Sequence, residues 1–175
     1  MALVDYGAVT WISSDSAHFL FLHQLTATLA TMNSTGLAAW RIKSGDPTSA
    51  YTHPKMFDYF LVRQQQYIFH RMVSCDHLVI FNTPLIHSQV MLPWVQCALS
   101  TECITPKGAQ NTGCHSERRP LYLYSGCHRY EVSALNVVLG KVFQFDDARY
   151  ISDDVVFGAE SDVTTTSPQA SSKVR

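Results

Sequence analysis

The chain has 175 residues, 13 Lys and Arg against 14 Asp and Glu, and a formal net charge of −1. This length suits one compact domain, and 46% hydrophobic residues are enough to build a substantial core. With charge near neutral and no basic stripe to release phosphate counterions, an electrostatic nucleic-acid binder is excluded. No run of about 18 apolar residues encodes a membrane span.

The opening "MALVDYGAVTW" has no basic stretch, carries Asp5 early and does not read as a signal peptide. "YGAVTWI" (6–12) is a short apolar run rich in β-formers and reads as a buried strand. A helix follows, capped by Ser14 or Asp15 and running to about Met32, with Phe19, Leu22, Leu25 and Leu29 on one face. "NSTG" (33–36) ends it, and "GLAAWRI" (36–42) reads as a second strand. "KSGDPTSAYTHP" (43–54) is a loop whose Pro54 can open a helix at its first position. The helical stretch after Pro54 is expected to break near Val62.

"DHLVIFN" (76–82) is the third strand. Helical spacing resumes after Pro84, and Pro93 kinks or divides that helix. Residues 101–126 form a long irregular segment, a length uncommon in a compact domain unless it is functional or covalently tied. "RYEVSALNVVLGKVF" (129–143) is the last helix, with Val132, Leu135, Val138 and Leu139 on its apolar face. After about Phe157 the chain is Ser/Thr-rich. Residues 1–157 are therefore expected to form the domain and 158–175 a disordered polar tail.

Short apolar strands alternating with helices favour an α/β sheet covered on both faces, with ligands beyond the strand ends. The loops 13–18 and 43–54 leave strands at such an end. Residues 127–131 and the long cysteine-containing segment are expected on the same rim.

Cys97, Cys103, Cys114 and Cys127 fall within 31 residues, and no C-x-x-C occurs. Spacings of six, eleven and thirteen suit disulfides, with buried thiols and a metal site as alternatives. Cys75 is the odd one over. Disulfides would place the chain in an oxidising compartment.

Three stretches offer chemistry. In "WISSDSAHF" Asp15 is placed to hold a metal bound to a phosphate, but one carboxylate makes a poor hard-cation site, and a helix cap explains the same residues. His53 directly precedes a proline, which holds its backbone extended and can aim its ring into a cleft; a surface histidine before a helix is the plainer reading. "CHRYEVSALN" (127–136) offers His128 as metal ligand or base, Arg129 as phosphate clamp and Glu131 as carboxylate base. A capped helix with a solvated Arg/Glu face explains it equally. Nucleotide P-loop, dinucleotide-fold, zincin and esterase-elbow motifs are all absent.

"YGAVTWISSDS", "THPKMFDYF", "LPWVQCALSTECITPKGAQ…GC" and "GCHRYEVSALNVVL" occur in an order that resembles a family of poorly characterised animal proteins. That family is itself similar to nucleotide-sugar-dependent glycosyltransferases of the GT-A type. The resemblance covers roughly residues 5–145. It implies a partial GT-A-like sheet flanked by helices, a nucleotide-sugar donor, a glycan or protein acceptor, Mn2+ or another divalent cation, and a Golgi or ER lumenal location. It implies Glu131 as the catalytic carboxylate and Trp11, Ser13, His53, Arg129 and Asn136 as substrate contacts. Asp15 and His128 would hold the metal.

The departures bear on activity. The metal-binding strand of such enzymes ends D-x-D; here it ends Ser13-Ser14-Asp15. The expected C-H-R-Y-D-Q-S-A-L-N reads Glu131-Val132 at the Asp-Gln pair, while Ser133 and Asn136 are kept. Glu131 reaches one methylene further and Val132 loses an amide, and small misplacements cost orders of magnitude in rate. A nucleotide-holding strand-helix-strand half is also expected ahead of "YGAVTWI". Transferase, non-catalytic relative and disulfide-stapled secreted interaction domain all remain open at this point.

Overall fold

The computed structural model describes residues 8–12, 35–115, 117 and 120–152. The expected helix to Met32 and the polar tail lie outside these residues, as do Ser13 and Asp15.

Strand β1 (Ala8–Ile12) and strand β2 (Leu37–Arg41) flank strand β3 (Val73–Phe81) in a three-stranded sheet of order β1-β3-β2. Both outer strands run antiparallel to β3, with Thr10 and Ala38 each opposite Val79. The strands lie close to where their apolar runs place them, but the pairing corrects the alternating-sheet expectation. Alternation along the chain does not dictate direction, and here β3 returns between the two earlier strands. The protein is a mixed α/β fold built on a small antiparallel sheet. Since β1 and β2 both run against β3, they finish at the same end of the sheet, and the 43–54 loop leaves from there.

Helix α1 (Pro54–Tyr59) opens on a proline. It ends at Phe60, where Leu61 takes a left-handed φ of 56°. This is the break expected near Val62, and a 3-10 turn (Gln64–Tyr67) follows. After β3 the chain winds through a π-helical turn (Ile86–Met91) straight into helix α2 (Leu92–Ala98). Pro93 explains the wide turn: it has no N–H to donate, and its ring crowds the carbonyl four residues back. Helix α3 (Thr101–Ile104) opens the segment read as irregular.

Helix α4 (Tyr130–Val142) is the centre of the molecule. It packs against β3, the π turn, α2 and α3. All eight residues from Ser133 to Gly140 are buried, so the middle turns of the helix lack the solvated face of an amphipathic surface helix, while Glu131 and Lys141 near its two ends are exposed. Leu135, Val137, Val138 and Leu139 join Leu37, Ala39, Val73, Leu78 and Ile80 of the sheet in one core, with Met56, Phe57, Tyr67, Ile86 and Val90. Each such aliphatic side chain contributes about 1.5–3 kcal/mol on burial. On the opposite sheet face Ala38 and Val79 are also buried, against Trp40 and Phe81.

Gly140 lets two aromatic rings approach α4. A Cβ there would stand 2.5 Å from Tyr67 Cε1 and 3.0 Å from Phe145 Cε1. The chain then closes along β2. Ala39 N–H donates to Tyr150 O (2.8 Å) and Ser152 N–H donates to Ala39 O (2.9 Å), making a short parallel bridge at Ile151.

Candidate functional site at the start of helix α4

Disulfides Cys97–Cys103 and Cys114–Cys127 are present, and Cys75 is free and buried. The first joins the end of α2 to α3. The second ties the long segment to the entry of α4. Together with the backbone they bring three parts of the chain to one place: residues 46–53, the cysteine segment and residues 127–133. Ser49 Oγ donates to Tyr122 O, Ser125 N–H and Oγ both donate to Ala50 O, and Arg129 N–H donates to Tyr51 O. The rim expected from the sequence therefore exists in this part.

His128 is its hub. The side chain is 0% exposed. Its Nδ1 accepts from His53 N–H (3.1 Å) and its Nε2–H donates to Ile104 O (3.1 Å). Its own N–H donates to Gln110 O. Burial outweighs the Ile104 hydrogen bond and pushes the imidazole down to about 4, so the ring is neutral at ordinary pH. A metal ligand needs a free nitrogen lone pair, and the Nδ1 lone pair is engaged by His53 N–H. As placed, His128 joins three segments and offers nothing to a cation.

His53 lies half-buried beside it, ring centroids 6.3 Å apart, and edge-on to Tyr124 at 5.5 Å. Its Nδ1 accepts from Lys55 N–H and so caps α1. Burial, then Lys55, lowers its pKa. The proline after it fixes the extended backbone that makes this cap geometry available.

Arg129 is an internal partner as well. Its guanidinium donates to Asp46 Oδ2 at 2.8 Å and lies 4.3 Å from the Tyr51 ring centroid. Its N–H also meets Ser133 Oγ, which donates in turn to Tyr51 O. The carboxylate takes one guanidinium donor and the ring covers one face, so the side chain is held within the chain. Tyr130 turns the chain into α4 with a left-handed φ of 39°, and its ring stands edge-on to His128.

Asn136 is 0% exposed and completes a miniature β-ladder from a helix. Its Oδ1 accepts from Val73 N–H (2.8 Å), and its Nδ2 donates to Val73 O (2.9 Å) and Val132 O (2.8 Å). Glu131 is exposed in the first turn of α4. Its backbone carbonyl accepts from Trp94 Nε1, and Trp94 packs against the core. Trp11 sits on β1 opposite Leu78, with its side chain outside the described residues.

The structure thus gathers His53, His128 and Arg129 at one rim and sets Asn136 beneath them. Ser133, kept in the motif, joins them, and Asp46, Tyr51 and Ser125 complete the set without having been singled out from the sequence. The one signal for Asp46 was its place in the Gly-Asp-Pro turn. Among the described residues, no group of three or more His, Cys, Asp or Glu side chains stands ready to hold a metal ion. No helix among them is long and apolar enough to cross a membrane. Comparison with known proteins finds no family, no curated protein and no solved structure that matches the chain.

Proposed function

We propose that the chain is a non-catalytic, disulfide-stapled domain of GT-A-like glycosyltransferase ancestry, working as a binding or structural domain in an oxidising lumen such as the Golgi or ER. The ancestry rests on the motif order described above. The loss of activity rests on one observation: the polar groups that ancestry would assign to donor and metal at the start of α4 are engaged within the chain. His128 and Asn136 bond to backbone, and Arg129 pairs with Asp46. The two disulfides support the oxidising compartment.

Calorimetric titration with UDP- and GDP-sugars in the presence of Mn2+ tests this. The expected result is no saturable heat. A saturable heat abolished by a chelator overturns the proposal, because it would restore a metal-bridged donor. A second arm replaces Glu131 and Val132 with Asp and Gln. If the site is structural, the pair gives no nucleotide-sugar hydrolysis; turnover by the double variant would show a competent transferase impaired at two positions.

A further inference from the structure

We propose that a groove beside Lys141 binds a single-chain amphiphile with a carboxylate head, that is, a free long-chain fatty acid. The groove lies between the end of α1, the π turn and the C-terminal half of α4, and encloses about 670 Å³. This is within the range of about 300–1,000 Å³ that small-ligand sites occupy. Among the described residues its walls are mostly apolar (Phe60, Pro84, Leu85, Pro93, Val138 and Val142), Ser88 and Gln89 add two polar side chains, and Lys141 is the only charged residue lining it. Lys141 Nζ donates to Phe60 O at 3.1 Å, which leaves two of its three donors for an anion. Ser88, also in the lining, spends its hydroxyl proton on Pro84 O.

The ligand class follows from what these walls can and cannot satisfy. A polyanion needs more than one cation, and a hydroxyl-rich ligand needs many polar partners. A peptide brings a series of backbone N–H and C=O groups, more than Ser88 and Gln89 can pair along an otherwise apolar wall. An acyl chain asks for no hydrogen bonds, and its one carboxylate matches the one ammonium. Leu85, 45% exposed, adds apolar surface to the groove itself.

Displacement of cis-parinarate fluorescence by oleate, on the full chain with disulfides intact, tests the proposal. Oleate is expected to displace the probe, and oleyl alcohol to do so at least about tenfold more weakly, the difference a charge pair supplies in a partly desolvated groove. Lys141→Glu should weaken oleate roughly tenfold and leave the alcohol unchanged, while Lys141→Arg keeps oleate binding. Leu85→Asp, at an exposed position outside the core, should weaken both ligands. Failure of oleate to compete, equal binding of acid and alcohol, or unchanged oleate affinity in both Lys141→Glu and Leu85→Asp overturns the proposal. So does binding to phosphatidylglycerol vesicles that free oleate fails to compete away, since the face would then dock on a lipid surface.

Discussion

Asn136→Leu separates a structural residue from a substrate contact. Leucine keeps the branched outline and is larger than asparagine, so no cavity is opened, and the loss includes three hydrogen bonds in a fully buried place. Val73 N–H and Val73 C=O each lose the amide as partner, in a residue that is itself fully buried. An unsatisfied buried polar group costs about 1–3 kcal/mol, so the variant should lose roughly 2–5 kcal/mol. For a domain of this size that lowers Tm by roughly 5–15 °C, a large share of a stability of about 5–15 kcal/mol. Urea denaturation followed by circular dichroism under non-reducing conditions measures it. A midpoint stability within about 0.5 kcal/mol of the parent would refute the reasoning, because Val73 would then not depend on Asn136. The amide would be free for another role, as the transferase resemblance implies.

Three further outcomes are expected. Stability should fall as pH drops from about 6.5 to 4: burial lowers both His70 and His128 to about 4, below the unfolded value near 6.5, so each binds its proton more readily once unfolded. The stabilisation is complete above about 6.5 and lost through the lower value, roughly 3 kcal/mol for each histidine; urea midpoints that stay flat between pH 6.5 and 4 would contradict it. Gly140→Ala should destabilise by about 1–3 kcal/mol although alanine is the better helix former, because the new methyl meets Tyr67, whose hydroxyl is fixed to Val137 O. A higher Tm for this variant would show that the two rings move aside. Cys114→Ser with Cys127→Ser should cost roughly 3 kcal/mol in a loop closed over 13 positions, read from the shift in urea midpoint.

The elements set by local chemistry were legible. Gly, Pro and the apolar runs place β1, β2, β3 and the start of α1 near their observed bounds. Pro93 announces a disturbed helix, although not that the disturbance is a π turn. Spacing alone suggests that four cysteines pair and that Cys75 remains. What the sequence withholds is long-range. Nothing in "DHLVIFN" says that β3 runs against its neighbours. The Val132, Leu135, Val138, Leu139 stripe suggests one buried face, yet Ser133 and Asn136 are buried too, because Tyr51 and Val73 bring matching backbone groups to them. The same holds for Arg129: its partner Asp46 is 83 residues away, and only the folded chain shows that the two are paired.

The bridge at Ile151 sets a practical limit on shortening this protein. Residues 150–152 cover the outer edge of β2 at Ala39, and Tyr150 also reaches His70 through its hydroxyl at 2.8 Å, with Thr48 on the far side of the ring. A chain ending before Tyr150 would uncover the N–H and C=O of Ala39 on that edge, an opening for strand addition from other molecules. The same cut would leave a buried histidine without one of its two partners. Expression of a minimal domain is therefore expected to yield soluble monomer when Ser152 is retained and aggregate when the boundary is drawn at the end of α4, even though the hydrophobic core itself is nearly complete by that point.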